Sequence, residues 1–79
     1  MKTLEELLNK VEQENAGIEI DGYDEETFIQ RPHGSYTIYI GESEQGYDLS
    51  TIKDGDEDYS NKKLVKTLKA VETYIKKYL

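Results

Sequence analysis

The sequence predicts an α+β domain: a three- or four-stranded antiparallel meander covered on one face by an N-terminal and a C-terminal helix, in the order α-β-β-β(-β)-α. Three observations predict it. Apolar residues recur at helical spacing at both ends of the chain. Between them, apolar and polar residues alternate with a period of two. Gly, Pro and Asp punctuate those alternating runs as turn signals. The 79 residues allow a single domain, 1–79, with one small core.

The first helix is predicted over 4–15. Thr3-Leu4-Glu5-Glu6 has the capping-box pattern, in which the threonine hydroxyl and the glutamate carboxylate satisfy orphan amides of the first turn. Leu4, Leu7, Leu8 and Val11 then hold one face, and Gly17 is a natural stop. Ile18-Glu19-Ile20 alternates as a short strand, whose place in the main sheet the pattern leaves open. Asp21-Gly22 reads as a turn and 23–26 as an acidic loop. A second strand is predicted over 27–31. It is closed by Pro32, which cannot donate to a ladder. Pro32-His33-Gly34 makes a tight connection, with Gly34 free to take positive φ.

The strand 35–40 is the clearest of the set, with Tyr36, Ile38 and Ile40 facing the core and Thr37 and Tyr39 facing away. An acidic turn over 41–46 leads into its hairpin partner, 47–52, with Tyr47 and Leu49 inside. The run 54–58 reads as an acidic loop, and Ser60 as the N-cap of a long final helix, 60–79. That helix would bury Leu64, Leu68, Val71, Ile75, Tyr78 and Leu79. It would expose Lys62, Lys63, Lys66, Lys69, Lys76 and Lys77. Lysines near the C-terminus suit the helix dipole.

Composition bounds the function. There is no cysteine, which removes disulfides and thiolate zinc sites and fits a reducing cytoplasm. No apolar run approaches the ~18 residues needed to span a bilayer, so no membrane partner is expected. Met1-Lys2-Thr3-Leu4-Glu5-Glu6 is too acidic for a signal peptide. The net charge of −7 is unevenly placed. Residues 1–61 hold 16 of the 17 carboxylates against Lys2, Lys10, Arg31 and Lys53, a net −12. Residues 62–79 hold six lysines against Glu72, a net +5.

Chemistry-bearing patterns are sparse. Asp54, Asp56 and Asp58 have the alternate spacing of a calcium loop, but the positions that need Gly and Glu hold Tyr59 and Val65. No metal or other cofactor is expected. The single histidine, His33, sits in a turn, and no nucleophile elbow or glycine-rich phosphate loop is present. The chain therefore reads as non-catalytic. The expected binding surface is an acidic edge, Glu42, Glu44, Asp48, Asp54, Asp56, Glu57 and Asp58, interleaved with Tyr47 and Tyr59. Such carboxylates can occupy a basic groove on a nucleic-acid-binding protein and release the same counterions as DNA. A homodimer through a sheet edge or a tyrosine-rich face is compatible with the seven tyrosines.

Two resemblances bear on function. In size, acidity, outline and the strand Tyr36-Thr37-Ile38-Tyr39-Ile40 followed by Glu42-Ser43-Glu44, the chain resembles small phage-encoded anti-CRISPR proteins. That resemblance implies a phage or mobile-element inhibitor that fills a basic groove of a host protein in place of nucleic acid. Residues 27–79 also resemble the double-stranded-RNA-binding domain. Pro32-His33-Gly34-Ser35-Tyr36 is similar to that family's histidine loop and following strand, and Lys62-Lys63-Leu64-Val65-Lys66 to the start of its second helix. This implies His33, Lys62, Lys63 and Lys66 as duplex contacts. The family's Gly-x-Gly-x-Ser lead-in is replaced by Asp54-Gly55-Asp56-Glu57-Asp58, which sets carboxylates beside the proposed phosphate contacts. A small structural or dimerising domain would need neither charged surface.

Overall fold

The computed structural model describes residues 3–23, 25–32, 36–53 and 56–79, the side chains of 23 and 56–61 excepted. Helix α1 (Leu4–Glu14) precedes five strands, β1 (Glu19–Tyr23), β2 (Glu26–Gln30), β3 (Tyr36–Ser43), β4 (Gly46–Lys53) and β5 (Asp56–Val65), and helix α2 (Leu68–Tyr78) follows them. The strands form one antiparallel sheet in the order β1-β2-β3-β4-β5, a meander in which chain neighbours are sheet neighbours. Both helices lie on the same face. The fold class predicted from sequence is the one observed, with five strands rather than three or four.

Helix α1 begins as its capping pattern dictates. The Thr3 hydroxyl accepts the Glu6 amide at 3.2 Å, which satisfies one orphan N–H of the first turn. The end is closed by Asn15, whose backbone N–H and side-chain Nδ2 both donate to the Val11 carbonyl at 3.0 Å. Gly17 follows at φ 87°, a conformation glycine takes without a Cβ penalty. Ile18-Glu19-Ile20 leads into β1, which joins the main sheet as its first edge strand. Asp21-Gly22 is not a turn. It lies inside β1, opposite Phe28 and Thr27, and the hairpin closes later, at the Tyr23–Glu26 pair. A glycine-bearing turn signal is overridden there by the ladder to β2, in which both residues hold register positions.

Strand β3 also outlasts its prediction. It continues through Gly41, Glu42 and Ser43, and only Glu44-Gln45 turn before Gly46 re-enters the ladder. The Ser43 hydroxyl accepts the Gln45 amide at 3.3 Å and donates to the Gly46 carbonyl at 3.4 Å, holding the tight turn.

The largest correction concerns the C-terminal third. The predicted helix 60–79 is two elements. Residues through Val65 form β5, and the helix starts at Leu68, capped by Thr67 instead of Ser60. The Thr67 hydroxyl accepts the Ala70 amide at 3.2 Å. Leu64 fits a helical stripe by spacing. Here it lies opposite Asp48 and is 47% exposed, while Val65, opposite Tyr47, is buried. The ladder of β4 decides the matter: its outer backbone groups need partners, and β5 supplies them. Asp56, Glu57 and Asp58, predicted as loop, pair with Lys53, Ile52 and Thr51; Asp54 and Gly55 lie outside the described residues. The β4–β5 register slips between Leu49 and Thr51, so four β5 residues, 59–62, face Ser50 alone. Among the described residues the buried Ser50 hydroxyl meets no hydrogen-bond partner at this irregularity.

The core lies between the sheet and the two helices. Leu4, Leu7 and Val11 enter from α1, and Val71, Tyr74 and Ile75 from α2. Ile29, Ile38, Ile40, Leu49 and Val65 rise from the sheet. Each fully buried Leu or Ile is worth about 1.5–3 kcal/mol. The helices run in the same direction. Lys10 of α1 meets Glu72 of α2 at 2.8 Å. At the far end Arg31 donates to the Leu79 carbonyl at 3.1 Å and to Asn15 Oδ1 at 3.0 Å. A cation at the C-terminal ends of two parallel helices answers both dipoles.

Candidate functional site

In an antiparallel meander, alternate connections fall at the same end of the sheet. The β1–β2 and β3–β4 hairpins are therefore neighbours here. The Glu42 amide donates to the Glu25 carbonyl at 2.8 Å and ties the two tips together. Glu25, Glu42, Ser43 and Glu44 line a shallow depression, and Glu26 stands beside them opposite Gly41. Glu25, Glu26, Glu42 and Glu44 are all exposed. The same end receives the N-terminus of α1, with Glu5 and Glu6 in its first turn.

This arrangement differs from the acidic edge expected from sequence. Glu42, Glu44 and Asp48 do sit at or near the β3–β4 tip. Asp56, Glu57 and Asp58 instead pair with the other end of β4. Lys53, the partner of Asp56, is five residues along β4 from Asp48, about 17 Å at ~3.4 Å per residue. The two groups therefore do not form one edge. Tyr47 and Asp48 also separate, because successive side chains point to opposite faces. Tyr47 packs against the core and Asp48 lies on the uncovered face. Tyr59 lies in β5 and Asp54 outside the described residues. Glu25 and Glu26 were missed because they belong to a different hairpin in the sequence. The signal that finds them is topological: two hairpins separated by one strand connection share an end.

The face of the sheet away from the helices carries further carboxylates. Its rows follow from register. Glu19, Gln30, Thr37 and Ile52 form one, and Asp21, Phe28, Tyr39 and Ser50 the next. Glu26, Gly41, Asp48 and Leu64 form the third. Thr37 donates to Gln30 at 3.2 Å, and Gln30 to Glu19 at 2.9 Å. None of the residues named in these three rows is a Lys or Arg.

The cations lie elsewhere. Lys62 and Lys63, expected on a helix, are on β5. They line a groove of about 450 Å³ with Ala70, Thr73, Tyr74, Lys77 and Tyr78 of α2. Lys66 is parted from them, beside Glu44, Gln45, Gly46 and Leu64. His33 lies outside the described residues. The sequence-predicted lysine triplet is thus split between two places: Lys62 and Lys63 lie on β5, whereas Lys66 follows the end of that strand, beside the β3–β4 turn.

Lys10 and Glu72 form a titratable pair displaced from ordinary behaviour. The hydrogen bond from Lys10, set against partial burial, holds the Glu72 carboxyl below the usual carboxylate range, and Glu72 in turn raises Lys10. This pair joins the helices and faces no cavity at the acidic end. No group of three or more His, Cys, Asp or Glu among the described residues is placed to hold a metal ion. Among the described residues no helix is long and apolar enough to cross a membrane. The arrangement offers exposed charge and hydrogen-bond acceptors for surface contact. No protein-family model, curated protein or solved structure matches this chain.

Proposed function

We propose that this protein is a non-catalytic acidic binding protein, an inhibitor that sets its carboxylate-rich end against a basic groove of a protein partner and displaces nucleic acid from it. The observation that carries the reading is the union of two hairpin tips. Glu25, Glu26, Glu42 and Glu44 are held at one end of a rigid sheet by the backbone bond from Glu42 to Glu25. Fixed carboxylates on a rigid scaffold compete with a phosphate backbone without the ordering cost of a flexible acidic tail. The Lys62–Lys63–Lys77 groove supports a second reading, direct binding of a nucleic-acid duplex.

The test is capture of basic nucleic-acid-binding proteins from a host lysate on the immobilised chain, followed by elution with duplex DNA. The expected outcome is release by DNA and loss of capture in Glu42→Lys/Glu44→Lys, with an unchanged circular dichroism spectrum. Capture indifferent to both DNA and charge reversal would overturn the reading. Titration of labelled duplex RNA separates the alternative: salt-sensitive binding lost in Lys63→Ala/Lys77→Ala would move the function to the basic groove.

A further inference from the structure

The uncovered face of the sheet has an aromatic centre. The Phe28 and Tyr39 rings meet with centroids 5.4 Å apart at 55°, and both side chains are half-buried. Gly41 makes room for this arrangement. A Cβ at that position would come within 2.5 Å of the Tyr39 hydroxyl, so a hydrogen there lets the phenol lie along the strand. The hydroxyl then donates to Glu26 at 3.2 Å. Asp21 pairs with Phe28 from β1, and Asp48 pairs with Gly41 from β4. Two rings are thus bordered by carboxylates on both sides.

That chemistry selects its occupant. Nucleic acid and anionic lipid are repelled by rows whose described charges are all negative. A second copy is excluded by the same argument. A two-fold interface is self-complementary, so every charged pair across this face would be carboxylate against carboxylate. A cation is required, and the rings distinguish between the two kinds. A guanidinium stacks on an aromatic face while its edge donates to carboxylates, whereas an ammonium is compact and strongly hydrated.

We propose that this face is a docking surface for an arginine-bearing segment of a basic protein, seated over Phe28 and Tyr39 between Asp21, Glu26 and Asp48. It rests on the reading of the chain as an acidic binder, and it names the side chain that the binder recognises. The occupied surface extends from the hairpin tips onto the sheet.

The experiment titrates the full ¹⁵N-labelled chain with two nonapeptides, all-arginine and all-lysine, at about 0.15 M salt. The expected result is amide shifts in 26–30 and 37–41, with the arginine peptide bound about two- to fivefold tighter than the lysine peptide. Phe28→Leu keeps an apolar side chain and removes the ring. It should lower arginine binding to the lysine level and leave lysine binding unchanged. Gly41→Ala, which must displace the Tyr39 phenol, should act in the same direction.

Shifts confined to residues 25 and 42–45, or equal affinities indifferent to Phe28→Leu, would overturn the proposal. Face shifts that grow with protein concentration alone would assign the face to self-association and overturn it too. Neither result touches the lysate capture and its reversal by Glu42→Lys/Glu44→Lys, so loss of the arginine site and loss of the inhibitor reading are separately visible. A failed capture with arginine-selective face shifts would leave the site standing without the inhibitor.

Discussion

At the scale of single residues, two glycines with positive φ do different work. Gly17 follows α1 at φ 87°, and a Cβ built there meets nothing within 4 Å. Gly46 re-enters the ladder at φ 133°, and a Cβ there would collide with the Val65 carbonyl oxygen of β5. Gly17→Ala therefore meets only backbone strain, whereas Gly46→Ala meets strain and a fixed backbone atom that cannot rotate away. Strain of this kind costs about 1–3 kcal/mol. Urea denaturation should show Gly46→Ala losing more than Gly17→Ala, with the β3–β4–β5 region the part disturbed. Equal losses would mean that the β3–β4 turn and β5 move apart freely. The stop at Gly17 was legible in sequence. The contact at Gly46 was not, since Val65 is nineteen residues away and was expected on a helix.

At the scale of elements, the informative contrast is between the helices. Helix α1 was legible because cap, stripe and stop agree with one another. Helix α2 was mislocated because Leu64 and Leu68 continue its helical stripe by spacing, whereas Leu64 and Val65 take opposite faces of β5. Thr67 is the observed cap, through its bond to the Ala70 amide. Thr67→Ala should lower stability by about 0.5–2 kcal/mol, the usual cost of losing such a cap. Thermal unfolding measures it, and a shift indistinguishable from zero would argue that the helix begins elsewhere. The strands β2, β3 and β4 were predicted in the right places because a half-buried strand alternates visibly. Strand β5 was hidden by its polar composition, which only an edge position tolerates.

At the scale of the whole molecule, charge is organised by the meander and by the parallel helices. Lys10 and Glu72 cross between the helices, with Lys76 at 3.8 Å from the same Glu72 carboxylate. Glu72 is held below the ordinary glutamate value of about 4.3, so its contribution is present above that value and is lost as pH falls through the folded pKa. Lys10 is raised, so its contribution is present below the ordinary lysine value of about 10.4 and is lost as pH rises through the folded pKa. Urea midpoints measured from pH 7 to pH 3 should therefore fall more steeply for the native chain than for Glu72→Gln. Parallel curves would show that the pair does not contribute. The long-range pairing of Lys10 with Glu72, 62 positions apart, was not visible in sequence. Each side chain reads as an exposed helical charge until the helices are docked.

The acidic site was half legible for the same reason. Glu42, Glu44 and Asp48 are close in the chain and close in space. Asp56–Asp58 are near them in sequence and far along β4 in space, while Glu25 and Glu26 are distant in sequence and adjacent in space. From the amino-acid order alone come the fold class, the first helix, the three central strands and the excess of negative charge, because these rest on local periodicity and composition. Which carboxylates share an end, which lysines share a groove, and whether 60–65 is helix or strand are settled only by tertiary pairing. The physical reason is that backbone hydrogen bonds must be satisfied across the whole sheet, and that requirement outranks any single residue's local preference.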